Sequence, residues 1–398
     1  MSTASGDRFV EAARALAPQI RAAGDEAERD RRLPNSLVAA FAREGLFRLW
    51  VPRSLGGEEL DPMTFGRVLE EVSRADGAAG WCLAIGAGYG VLGGYLPAAA
   101  ARELYGSDPH MRAAGALRPM GEAAVTDGGW RVTGRWPLGS FCEHATWIVG
   151  GCRIIEAGQP VLARDGAPVT RLLFFPAEAC NIIDTWHSIG LRGTGSHDYA
   201  ISDLFVPESH SLSFREPPVE PGPLYALPTV ALFAAAIAAV PLGIARHAIE
   251  LLTGLAAIKI TSRTRRSVSE DATLQADLGR AEALVRSGRA FLHEALEEAW
   301  PVVSAGQRID IAQRAMLWLA GTHAARNAAE AAELMFRAGG SASPYASCGI
   351  ERCLRDIHAA TQHITLAPGN YQMAAQAFLG LDMSATQLLL LDDRGDYS

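Results

Sequence analysis

Residues 355–370, RDIHAATQHITLAPGN, place an arginine, an aspartate and two histidines in a run of small residues ahead of a Pro-Gly break. The pattern predicts a helix continuing to Pro368. On that helix His358 and His363 are about 140° apart, so they share no face and form no metal pair. Asp356 and His363 fall on nearly the same face, about 10 Å apart along the axis, too far to bond directly. Arg352 and Asp356 are spaced i, i+4, as in an ordinary helix ion pair. Asp356 therefore reads as structural, and His363 is left open as an acid, a base or a core residue.

Other short stretches carry chemically capable groups. In WRVTGRWPLGSFCEHATW, Ser140 sits where a strand should end, next to Gly139. A hydroxyl there can meet a heteroaromatic nitrogen while the glycine lets a flat ligand approach the backbone; the same serine also reads as an ordinary turn residue. The loop GLRGTGSHDY offers Arg192, Thr194, Ser196, His197 and several backbone N–H groups. It lacks the strand-to-helix setting of a dinucleotide fingerprint. SRTRRSVSED gathers Arg263, Arg265 and Arg266, a set suited to a phosphate or to a solvated helix end. Gly339-Gly340 joins two helical segments and would allow close approach of a flat or pyrophosphate-bearing ligand.

Three parts must position these groups. Residues 1–112 have helical periodicity, with Asp61 placed to cap a helix starting at Pro62. Residues 113–222 read as short strands, opening with a turn at Asp127-Gly128-Gly129. Residues 223–398 return to long helical segments near 226–263, 271–301, 309–338 and 347–366, as in a four-helix bundle. The expected fold class is thus α+β: an N-terminal helical domain, a small central β-barrel or sandwich, and a C-terminal four-helix bundle.

Composition narrows the function. The chain has 398 residues, a formal net charge of −8 and 49% apolar residues. An acidic chain is a poor partner for nucleic acid. The most apolar run, LPTVALFAAAIAAVPLGIARHAIELL, is interrupted by Pro241 and carries Arg246 and His247, which favours a buried core helix over a membrane span. The six cysteines show no zinc-type spacing, as expected of buried free thiols in a reducing cytoplasm, and no metal is expected.

In order along the chain, LGGEELDP, EEVSRADGAAGW, LRGTGSHDYAISDLFVPE and FRAGGSASPYASCGIERCLRDI resemble the acyl-CoA dehydrogenase fold family over essentially its whole length. Within it, Gly80-Trp81, GALRPMGEA with GGWRVTGRWPLGSFCEHATW, LRGTGSHDY and RDIHAATQH are similar to the two-component, flavin-dependent monooxygenases. That resemblance implies reduced FMN or FAD delivered by a separate reductase, reaction with O2 through a flavin C4a-hydroperoxide, and transfer of one oxygen to a small organic substrate. It implies Ser140 near flavin N5, His363 beside the C4a region and Trp136 as a wall of the isoalloxazine site. Thr194, Ser196 and His197 would contact the flavin or its ribityl chain. Arg263 or Arg266 would meet the phosphate, and Gly139, Arg192, Gly339 and Gly340 would complete the cofactor site. A homotetramer is the family expectation, and a cytoplasmic location is expected from the sequence itself, whose N-terminal stretch reads as a capped amphipathic helix.

Two departures shape the substrate. Many dehydrogenases of this family place a carboxylate eight residues after the Arg-Asp pair, where this chain has Ile364, which abstracts no proton. A dehydrogenase or desaturase drawing its base from another helix is the second reading. Many of the hydroxylases place a histidine eight residues after the GW tryptophan; here that position is Tyr89. With an ordinary pKa near 10, tyrosine is a poor base, so a neutral aromatic, an amine or a heteroatom substrate fits better than a simple phenol.

Overall fold

The computed structural model describes residues 4–260 and 267–381; Arg263, Arg265, Arg266 and the last apolar segment lie outside the described residues. The first α-helices are α1 (Ala4–Asp30), α2 (Asn35–Arg43), α3 (Pro62–Ala75), α4 (Gly77–Gly88) and α5 (Ala98–Ala101). Asp61 caps α3 by accepting the N–H of Thr64 at 2.9 Å, with Pro62 in the first turn as expected. Asp76 caps α4 in the same way through Ala79.

The strands are β1 (Ala113–Thr126), β2 (Gly129–Gly139), β3 (Trp147–Glu156), β4 (Gln159–Pro160), β5 (Thr170–Pro176), β6 (Asn181–Ile183), β7 (His197–Pro207) and β8 (Ser211–Leu212). They form one mixed sheet in the order β6-β7-β2-β1-β3-β5-β8, with β4 beside β3 and only the β1–β3 pairing parallel. The β1–β2 turn lies at Asp127-Gly128, where Gly128 takes φ +75°. Along β2 the buried residues Trp130, Val132 and Trp136 alternate with exposed arginines and a threonine. The α+β expectation holds, and its β element is a sheet curled around its own core.

The C-terminal helices are α6 (Pro223–Ala226), α7 (Thr229–Ile258), α8 (Ala272–Ser304), α9 (Ile311–Gly339), α10 (Ile350–Ala360) and α11 (Gly369–Phe378). Helix α7 packs against both α3 and α9, so the first and last helical segments share one hydrophobic core. Gly243 permits the α3 contact, since a Cβ there would lie 2.4 Å from the carbonyl oxygen of Glu70. Helix α7 is long and apolar enough to cross a membrane, yet 94% of its apolar window is buried within the protein.

Two local expectations are corrected. Pro241 does not interrupt α7, because one lost backbone hydrogen bond is outweighed by burial of the apolar residues on either side. Helix α10 stops at Ala360 instead of reaching Pro368. His363 then takes extended backbone angles and caps a short 3-10 turn at 364–366 through its own side chain. Such a local side-chain bond competes directly with helix continuation. The helical face shared by Asp356 and His363 therefore does not exist.

Candidate active site

Ser140 follows the last residue of β2 and lies between two non-glycine residues with left-handed backbone, Leu138 (φ +62°) and Phe141 (φ +66°). Such conformations are costly and persist only where surrounding contacts fix them. Here the N–H of Phe141 donates to Thr194 O at 2.9 Å, and the Phe141 ring stacks on Phe47 at 5.3 Å in the helical core. The turn aims the Ser140 hydroxyl at helix α4 and at the loop before β7.

Trp81 of α4 donates its indole N–H to Ser140 Oγ at 3.0 Å. Ser140 Oγ and Ser196 Oγ are 2.7 Å apart, Ser196 Oγ and Thr194 Oγ1 2.6 Å, and the Thr194 hydroxyl donates to Leu191 O at 2.8 Å. The edge of His363 meets Trp81 in a T-shaped contact with ring centroids 5.5 Å apart. Thus Ser140, Thr194, Ser196 and His363 come together around Trp81, although Ser140 and Trp81 lie 59 positions apart in sequence.

His363 is only partly exposed, and burial lowers its pKa from the ordinary histidine value to about 4. It is therefore neutral at pH 7. Its Nδ1 accepts from the backbone N–H of Thr365 and lies 2.8 Å from the Thr365 hydroxyl, which leaves the proton on Nε2. The site offers hydroxyls, an indole N–H and a neutral imidazole. The nearby thiols of Cys82 and Cys142 are buried, and that burial pushes both up, Cys142 to about 12, which makes them poor nucleophiles.

The loop carrying Thr194 and Ser196 is clamped from below. Leu191 has left-handed backbone (φ +50°), and its N–H donates to Asp356 Oδ1 at 2.6 Å. Asp356 is buried; burial, followed by repulsion from Asp76, raises its pKa to about 8. The expected Arg352–Asp356 helix ion pair is not formed: the Arg352 guanidinium reaches Asp25 on α1, while the Asp356 carboxylate turns to the loop.

The remaining predicted residues take other places. Trp136 is fully buried in the sheet core, stacked on Tyr199 at 5.3 Å and donating to Gly151 O at 2.7 Å. It does not reach the Trp81–Ser140 cluster, because inward alternation along β2 carries it into the sheet's own core. Gly139 is required by that core, since a Cβ would fall 2.7 Å from the Tyr199 ring. His197 Nδ1 accepts the N–H groups of Thr185 and Trp186, each at 3.2 Å, and braces the strand end. A Cβ on Gly339 would fall 2.2 Å from Ser343 Oγ, which would have to rotate away, and Gly340 (φ +56°) ends α9. Arg192 lines an open cleft of about 690 Å³ with Ser188, Ile189, Ala346, Ser347 and Arg355. Tyr89 donates its phenolic proton to Gly115 O at 2.8 Å, packs edge-on against Phe233, and has its pKa raised by burial.

Trp81 and Asp356 are the residues whose roles sequence reasoning missed. Trp81 appeared there only as half of a dipeptide pattern, and nothing local signals its bond to Ser140. Asp356 had a nearer apparent partner in Arg352, and helix spacing hid the tertiary one.

Comparison with known proteins agrees with this fold. Residues 3–100 match the family described as "Acyl-CoA dehydrogenase, N-terminal domain", and residues 235–368 match "Acyl-CoA dehydrogenase, C-terminal domain". The indole-3-acetate monooxygenase of Pseudomonas putida is 33% identical over 90% of both chains. The flavin-dependent monooxygenase oxygenase subunit HsaA of Rhodococcus jostii is 28% identical over 94% of this chain and 99% of its own. The structure of XiaF from Streptomyces sp. in complex with FADH2 and glycerol superimposes with a TM-score of 0.88 at 27% identity, covering 95% of this chain and 96% of XiaF. Fold and relatives together define an oxidoreductase with the acyl-CoA dehydrogenase architecture. The chain belongs to the acyl-CoA dehydrogenase family, in its branch of flavin-dependent monooxygenases.

Proposed function

We propose that the protein is the oxygenase component of a two-component system, which takes FMNH2 or FADH2 from a separate reductase and oxygenates a small aromatic or heteroatom-containing molecule with O2. The observation carrying this reading is the uncharged cluster at Ser140: a hydroxyl held by Trp81, with neutral His363 against the same indole. These donors and acceptors fit a flavin, whose ring edge alternates N–H and carbonyl groups. When bound, reduced flavin supplies the electrons that activate O2.

The chain's own residues supply placement and proton control. Ser140 holds the N5 edge. His363 stays neutral, and its Nε2–H donates a hydrogen bond toward the reacting oxygen. Thr194 and Ser196, whose hydroxyls are engaged with each other, serve mainly to hold Ser140. The cleft lined by Arg192 receives the phosphate end, and the family resemblance offers Arg263 or Arg266 as a further phosphate partner. Water is excluded by the Ala/Gly-rich wall of α4 and the first half of α7, both almost wholly buried.

Tyr89 narrows the substrate. Its proton is given to a backbone carbonyl and its pKa is raised, so it takes no proton from a phenol at neutral pH. An electron-rich heteroaromatic ring needs no such deprotonation, and the similarity to indole-3-acetate monooxygenase points the same way. The same reading includes a cytoplasmic homotetramer. Its physical support is the exposed apolar set Tyr371, Phe378, Leu379 and Leu381 at the end of the chain's described part.

The test is single-turnover reaction of the protein with chemically reduced FMN or FAD, ¹⁸O2 and a panel of indoles, aryl amines and phenols. One ¹⁸O atom is expected in an indole-type product without any acyl thioester. Reduction of oxidised flavin by an acyl thioester under anaerobic conditions, with no oxygenation, would overturn the assignment.

A further inference from the structure

The hydrogen bonds at Ser140 run in one direction. At one end is the Trp81 indole N–H, which only donates; at the other is the Leu191 carbonyl, which only accepts. Three hydroxyls lie between them, each with one proton. If Thr194 donates to Leu191 O, then Ser196 donates to Thr194 and Ser140 donates to Ser196. That arrangement makes four bonds and leaves no buried hydroxyl proton unpaired. Reversing the chain gives three bonds, Thr194 to Ser196, Ser196 to Ser140 and Trp81 to Ser140. It also strands the Ser140 proton in a buried position. Leu191 O also takes the backbone N–H of Thr194 and the indole N–H of Trp186, so it remains an acceptor in either case. The first direction is therefore the resting one.

A Ser140 oxygen in that state has spent its proton and retains acceptor capacity. We infer that this polarised relay makes Ser140 a hydrogen-bond acceptor toward flavin N5, so that the site itself selects reduced over oxidised cofactor. The inference rests on the reading that places flavin N5 against Ser140. Reduced flavin carries N5–H, a donor, and adds a fifth bond to the undisturbed relay. Oxidised flavin presents only a lone pair at N5. Binding it with a hydrogen bond requires the relay to reverse and surrender the Thr194–Leu191 bond. The difference is one hydrogen bond, a factor of roughly two to ten in relative affinity. No charge takes part, so the selection does not depend on the titration of Ser140, Ser196 or Thr194.

The experiment measures dissociation constants of oxidised and of anaerobically reduced FMN and FAD for the wild-type protein, Ser196→Ala, Thr194→Val and Ser140→Ala. Melting temperature and far-ultraviolet circular dichroism are recorded for each. Ser196→Ala frees the Ser140 proton to serve oxidised N5. The ratio of oxidised to reduced dissociation constants should fall roughly two- to tenfold. The two-electron potential of bound flavin should fall in step, by about 30 mV for a tenfold change. Thr194→Val, nearly isosteric, should move the ratio in the same direction and guards against a folding defect in the first variant. Ser140→Ala should weaken reduced-flavin binding directly. If Ser140→Ala weakens reduced flavin while Ser196→Ala and Thr194→Val leave the ratio unchanged, the flavin placement stands and the polarity is overturned. If Ser140→Ala changes neither constant, the flavin does not meet Ser140 and both fail.

Discussion

The loop of residues 191–196 is held at its two ends by opposite chemistry. Its outer end, at Thr194 and Ser196, joins a relay of neutral hydroxyls shared with Ser140 and Trp81. Its inner end, at Leu191, is bound by a buried carboxylate that lies close to a second one, Asp76, with Arg352 and Arg355 paired to acids of α1 and α10 around them. The groups near the proposed chemistry are hydroxyls, an indole and a neutral imidazole, while buried carboxyl groups are used one layer away as a brace. A fixed charge beside a redox-active ring would favour one of its ionic forms at every step, whereas hydroxyls adapt by rotation. The buried Asp356 carboxyl, in contrast, makes a short bond of 2.6 Å to a strained backbone position.

The largest expected effect breaks the neutral side. Replacing His363 with alanine removes the imidazole packed against Trp81 and should lower product formation by about 100-fold or more. Reduced-flavin affinity should stay within a factor of a few. Turnover equal to wild type would reduce His363 to a packing residue. Because its pKa is lowered to about 4, wild-type single-turnover yield should be flat from pH 6 to 8. The same shift carries a stability cost in acid: the unfolded histidine takes up a proton near pH 6.5 and the folded one does not until about 4. Stability from this group is therefore lost progressively as the pH falls through that window.

On the carboxyl side, Asp356→Ala leaves the buried N–H of Leu191 without a partner and should cost about 2–3 kcal/mol in urea unfolding. Asp356→Asn preserves an acceptor and sharpens the comparison through pH. The carboxyl is raised from the ordinary aspartate value to about 8, so the folded state holds its proton more tightly than the unfolded chain. Its contribution to stability is fully present below pH 4 and declines as the pH rises to about 8. The asparagine variant should match wild type near pH 4 and exceed it progressively as the pH rises to about 8. Parallel wild-type and variant stabilities across that range would show that Asp356 is ionised throughout.

How far this was legible in sequence follows the same division. Features set by a few adjacent residues read correctly, such as the Asp61-Pro62 start of α3 and the turn at Asp127-Gly128. Ser140 and His363 were singled out separately, and the structure brings both against one indole. What failed depended on tertiary partners. The Asp356 carboxylate chose Leu191, 165 positions away, over the arginine one helical turn from it. The helix through His363 ended early because a side chain capped the next turn instead. Trp136 was assigned to the flavin by its place in a motif, although it lies in step with Trp130 and Val132 along β2, which pointed inward to the sheet.

The smallest expected effects separate the two tryptophans. Both indoles donate one buried hydrogen bond, Trp81 to Ser140 Oγ and Trp136 to Gly151 O. Substituting phenylalanine removes that bond in each case and should cost about 1 kcal/mol of stability apiece. Only Trp81→Phe touches the relay. Without the indole N–H, Ser140 loses one of its fixing contacts, and reduced-flavin affinity should weaken by a factor of roughly two to five. Trp136→Phe should leave that affinity unchanged while lowering the melting temperature, since its bond and its stacking on Tyr199 belong to the sheet core alone. Equal losses of flavin affinity in both variants would mean that the sheet core transmits strain to Ser140 through β2. The separation between a neutral site and its structural support would then lie further from the relay than the Gly139–His197 strand end.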